Sequence, residues 1–167
     1  MEQTILTIFL ALFVFQFAIE FVLNELNLRQ VAISAANKVI PEAFRGKIDP
    51  PDYAKSVEYT LTNGRFHRWA DIYGSAVLLV VLLSGLLGWI DQWAGQWASS
   101  SGLGRYGPGI IFCCAVGVIF TLSGLPAELY STFGIEAKFG FNKTTIGLYL
   151  RDKFKGLVLS LVIGVPF

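Results

Sequence analysis

The sequence has little of what a metal or redox site needs. It holds one histidine, His67, and two cysteines, Cys113 and Cys114. A catalytic zinc typically takes three protein ligands, and this set does not supply them. Neighbouring residues on a helix point about 100° apart. The adjacent cysteines therefore form neither a CxxC site nor a disulfide framework, and they read as small apolar residues. His67, within Arg65-Phe66-His67-Arg68-Trp69, reads as an interfacial residue among aromatics. An HExxH helix, a GxSxG elbow and a GxxxxGK[ST] phosphate loop are all missing. No catalytic and no metal-ligating residue is assigned within the chain.

Charge is also scarce. Only 15% of residues are charged and 54% are hydrophobic, with a mean hydropathy of +0.58. A soluble domain carries about 25% charged residues. The net charge of +1 gives no broad attraction for nucleic acid, which is excluded as a partner. The N-terminal apolar segment has no basic flank and no small-residue cleavage site, so it does not read as a signal peptide.

What is present is apolar sequence in long blocks. No charge lies between Glu2 and Glu20, between Asp71 and Asp91, or between Arg105 and Glu128, gaps of 17, 19 and 22 residues. Each fits a helix that crosses a bilayer, where backbone groups must bond internally. The expected fold is all-α and polytopic. Spanning helices are placed at about residues 4–23, 73–90 and 107–125. A fourth apolar segment, Gly156–Phe167, holds 12 residues, against the roughly 20 that a crossing needs. The chain is therefore expected to be the front part of a longer membrane protein.

Lys and Arg placement sets the expected orientation. Residues 24–71 and 126–156 carry most of the basic side chains, and residues 91–109 carry only Arg105. The positive-inside rule puts the two basic loops in the cytoplasm and the N-terminus outside. The first loop reads as helical. Leu28, Val31, Ala32, Ala35 and Val39 share one helix face, with Pro41 as the stop. Asp49-Pro50 can cap a second helix, which either ends at Asn63-Gly64 or runs on through Trp69. Trp69 and Tyr73 suit one membrane interface, and Trp89, Trp93 and Trp97 suit the other. The Gly- and Ser-rich connection 91–109 reads as a plain exposed turn. Glu20 is the one ionisable residue expected within a spanning helix. It faces a polar chamber or reaches water at the interface.

The richest polar stretch follows the third apolar segment. Pro126 can kink or end that helix. A helical turn is expected over Ser131–Ile135, a turn at Gly140 and Asn142, and a new helix start at Thr144-Thr145. Aromatic residues and glycines alternate here with single polar groups, as in a packed loop.

In this stretch, Tyr130-Ser131-Thr132-Phe133, Ile135-Glu136, Lys138-Phe139-Gly140-Phe141-Asn142-Lys143-Thr144-Thr145, Asp152 and Lys155 resemble the pre-catalytic region of the CAAX prenyl proteases. These are membrane zinc metallopeptidases. Leu28-Arg29-Gln30 and Tyr53, Lys55-Ser56 and Tyr59 add a weaker match. The resemblance implies a polytopic enzyme whose helices enclose a water-filled chamber. It also implies a downstream HExxH domain that binds zinc through ligands outside this chain. The implied partners are the lipid bilayer, the downstream catalytic domain and a peptide or membrane-protein substrate. This chain alone is expected to be inactive. Glu136, Lys138, Asn142 and Lys143 are the candidate contacts to that catalytic domain. The alternative is a non-catalytic small membrane scaffold or subunit.

Overall fold

The computed structural model describes residues 2–36, 48–102 and 104–164. All regular structure among them is helical: α1 (Glu2–Ala36), α2 (Pro50–Leu83), α3 (Leu86–Ser101), α4 (Gly107–Leu129), a π-helical segment (Tyr130–Glu136), the single turn α5 (Ala137–Phe139) and α6 (Ile146–Gly164). Three of the helical runs are long and apolar enough to cross a membrane: Gln3–Ala36, Pro50–Leu83 and Gly107–Phe139. The all-α polytopic fold expected from the charge-free blocks is what forms.

The residues divide into two compact units, 1–72 and 73–167. In the first, α1 runs on from its apolar part to Ala36. The stop expected at Pro41, and Val39 with it, lie outside the described residues. The α2 helix starts at Pro50, and the Asp49 carbonyl accepts the Tyr53 N–H at 3.0 Å. It does not end at Asn63-Gly64. Gly64 there meets α1: a Cβ on it would stand 2.4 Å from Leu28 Cδ2. Leu28 is buried. A glycine that looks like a turn signal serves instead as the point of close approach between two helices.

In the second unit the apolar segment 73–90 is not one helix. It breaks at Ser84-Gly85, where Gly85 adopts φ 78°, a left-handed conformation that glycine takes without steric penalty. The Ser84 hydroxyl accepts the Leu86 N–H as the new helix opens. The connection read as an exposed turn is in fact helical to Ser101. Ile90, Ala94 and Ala98 recur every four residues and are buried, and α3 packs on α4. Serines and glycines in sequence masked this small-residue stripe. Gly102, also left-handed at φ 65°, closes the helix.

Pro126 does not end α4. The chain stays helical through Phe139, though its turn widens to the π form from Tyr130. The last helix begins at Ile146, ten residues ahead of the apolar run at Gly156.

Candidate functional site

The polar connection after α4 is a sequence of locally satisfied motifs. A π segment lets backbone bonding shift to i→i+5 and is common at functional sites. Here it includes Gly134, whose position a Cβ would fill to 3.4 Å from the Tyr130 ring. The helix ends in a Schellman motif. Gly140 is left-handed at φ 79°. Its N–H donates to the Ala137 carbonyl at 3.1 Å, and the Phe141 N–H donates to the Glu136 carbonyl at 2.9 Å. The Asn142 N–H reaches the same carbonyl at 3.2 Å. Asn142 Oδ1 then accepts the Thr144 N–H at 2.6 Å, an Asx turn. Thr145 caps α6, its Oγ1 accepting the Leu148 N–H at 3.3 Å.

The four candidate contact residues fall on this device. Glu136 contributes its backbone carbonyl to the Schellman bonds. Lys138 is exposed, with Nζ 5.0 Å from the Phe139 ring centroid. Asn142 is half-buried and holds the turn, and Lys143 is exposed. Two lie at the helix end and two in the following loop. Glu20 is exposed on α1, where Oε1 accepts a hydrogen bond from Gln16 Nε2 at 3.0 Å.

A second cluster, which sequence reasoning missed, ties α4 to α6. Tyr149 Oη donates to Glu128 Oε2 at 2.6 Å, and Lys153 pairs with the same oxygen. The Phe133 ring meets Tyr149 edge-on at 5.7 Å. Glu128 lies beyond the charge-free stretch 106–127. The hydrogen bond from Lys153, then that from Tyr149, holds its carboxyl below the usual value against partial desolvation. Desolvation, with the bond to Glu128, pushes Tyr149 up to about 12. The one available signal was the spacing of Tyr149 and Lys153, four apart on one helix face.

A third cluster sits in the first unit. Glu25 bonds Arg29 on its own helix at 2.8 Å and Arg68 of α2 through its other oxygen. The Arg29 hydrogen bond, with the charges of Arg29 and Arg68, lowers the Glu25 carboxyl. His67, next to Arg68, is exposed.

Among the described residues, no three His, Cys, Asp or Glu side chains converge to hold a metal ion. Cys113 is exposed and Cys114 half-buried, both as free thiols.

Comparison with known proteins places these features. The family profile described as "CAAX prenyl protease N-terminal, five membrane helices" matches residues 30–167. The rice CAAX prenyl protease 1 homolog is 31% identical over 130 residues, covering 76% of this chain and 31% of the relative. The human homolog is 28% identical over 141 residues, covering 83% and 30%. In structure, the chain resembles the crystal structure of S. mikatae Ste24p with a TM-score of 0.83 at 28% identity. That match covers 93% of this chain and 36% of Ste24p. The chain thus spans about a third of the length of the curated relatives it matches.

Proposed function

Because the chain belongs to the CAAX prenyl protease family, through that family's N-terminal membrane domain, we propose that it is the membrane part of an integral-membrane zinc metalloendopeptidase. Its helices form chamber walls, and its 126–156 connection braces the catalytic domain. The observation that carries this is the family profile's match over residues 30–167, which takes in the polar connection as well as the apolar helices, beside the match to Ste24p over 93% of this chain. Zinc supplies the water-activating chemistry of such an enzyme, through ligands outside this chain. In this reading the chain's own groups hold shape. The Schellman and Asx turns fix where Lys138 and Lys143 stand, and Glu128 links the end of α4 to α6 through Tyr149 and Lys153. Loops 24–71 and 126–156 are assigned to the cytoplasm and the N-terminus to the outside, from their Lys and Arg content.

Alanine substitutions at Glu136, Lys138, Asn142 and Lys143 in the full-length protease test the bracing role. Cleavage of a prenylated CAAX peptide is the readout, with membrane insertion as the control. At least one substitution is expected to lower cleavage while sparing insertion. Asn142→Asp keeps the Thr144 acceptor, so it separates turn geometry from contact. Wild-type cleavage in all four alanine variants would remove the idea.

A further inference from the structure

The α3 helix carries two parallel stripes one residue out of step. Ile90, Ala94 and Ala98 are buried and α3 packs on α4. Trp89, Trp93 and Trp97 each precede one of them, about 100° round the helix. They stay 63%, 39% and 56% exposed. The Trp93 and Trp97 rings touch at 5.9 Å between centroids. Since the buried stripe is held by α4, the tryptophan flank cannot rotate inward. The one charge on the helix, Asp91, is set about 160° from both Trp89 and Trp93.

We propose that this flank faces the acyl chains and headgroups of the bilayer as an upright ladder, with Trp89 deepest and Trp97 outermost. The five-residue connection 102–106 makes α3 and α4 an antiparallel pair. The charge-free part of α4, residues 107–127, is about 32 Å long and crosses the hydrocarbon core. A helix packed along it stands with it. Trp89 and Trp97 are then about 12 Å apart in depth. One headgroup layer is only about 5–8 Å deep, so it cannot hold all three rings. Trp89 lies within the charge-free stretch 72–90, one residue before its end. Trp97 is near the loop that opens α4 at Tyr106, itself 78% exposed. Tryptophan suits this gradient because it pairs a large apolar ring with one N–H donor.

The test uses the full-length protein in phosphatidylcholine vesicles. The acyl chains are brominated either near the headgroup end or near the methyl end. Trp89→Phe, Trp93→Phe and Trp97→Phe are each compared with the parent, and the fluorescence quenching lost with each ring gives its depth. Trp89→Phe should remove chiefly the deep-bromine quenching and Trp97→Phe chiefly the shallow. Equal shallow quenching at all three would mean that α3 lies flat, and it overturns the ladder. No lipid quenching at any of them would mean that protein covers the flank, a second copy or another domain, and it overturns the proposal altogether. Where a phenylalanine variant does not insert, tyrosine at that position keeps the readout. The inference needs only a membrane-embedded α4, so its failure leaves the proteolysis reading standing.

Discussion

Replacing Gly64 by alanine sets two effects against each other. In an ordinary helix interior the change stabilises by about 1 kcal/mol, because alanine loses less backbone entropy. Here the new methyl would stand 2.4 Å from Leu28 Cδ2 and 3.4 Å from Leu28 Cγ. The leucine tip can turn, but turning it disturbs a side chain that is only 8% exposed. Overpacking of this kind costs about 1–3 kcal/mol. The expected net result is a loss of about 1 kcal/mol. The double variant separates the two effects. Leu28→Ala alone should destabilise by about 2–5 kcal/mol. In that background the obstructing methyl is gone and Gly64→Ala should stabilise, by up to about 1 kcal/mol. Thermal unfolding of all four proteins in detergent micelles reads the cycle. The predicted signature is a change of sign, with a coupling of about 1–3 kcal/mol. An equal gain in both backgrounds would refute the close approach of α1 and α2 at this point.

Three further outcomes follow from the polar clusters. The depressed Glu128 carboxyl adds stability above its ordinary value near 4.5, lost as pH falls through the lower folded value. Wild type should therefore lose more stability than Glu128→Gln on acidification from neutral to about pH 3, the carboxylate range. With Glu128 48% and Lys153 39% exposed, screening keeps the difference under about 1 kcal/mol, and parallel melting profiles would refute it. Arg68→Met should lower the melting temperature, and Glu25→Gln should then add little, because the inter-helix pair is already broken; additive losses would count against that pairing. Gly140→Ala should destabilise by about 1 kcal/mol because its φ is 79°, whereas Gly147, with open space around its position, should tolerate alanine; equal tolerance would remove the Schellman turn.

The apolar blocks and their charge-free gaps were legible because lipid permits few backbone solutions, and length then identifies the helix. The turn at Gly140 and Asn142 and the helix start at Thr145 were legible because local hydrogen bonds from one or two side chains make them. The break at Gly85 was hidden in an unbroken apolar run, since glycine is common in membrane helices and its φ is not written in hydropathy. The α3 helix was hidden by its own composition: Ser99-Ser100-Ser101-Gly102 looks like a turn until Ile90, Ala94 and Ala98 find α4.

The sequence by itself determined that this chain enters a membrane as helices, because segregation of charge from apolar surface is a one-dimensional property. Its polar run after α4 also marked the family. Tertiary structure decided which small residues are contacts and which are breaks. Gly64 became a contact because Leu28 came to lie against it, and Glu128 gained Tyr149 and Lys153 only when the fold brought the first turns of α6 to the end of α4. Such pairings join residues up to 43 positions apart, as Glu25 and Arg68 are. No local pattern encodes a partner that distant, because the energy that selects it exists only once both helices are placed.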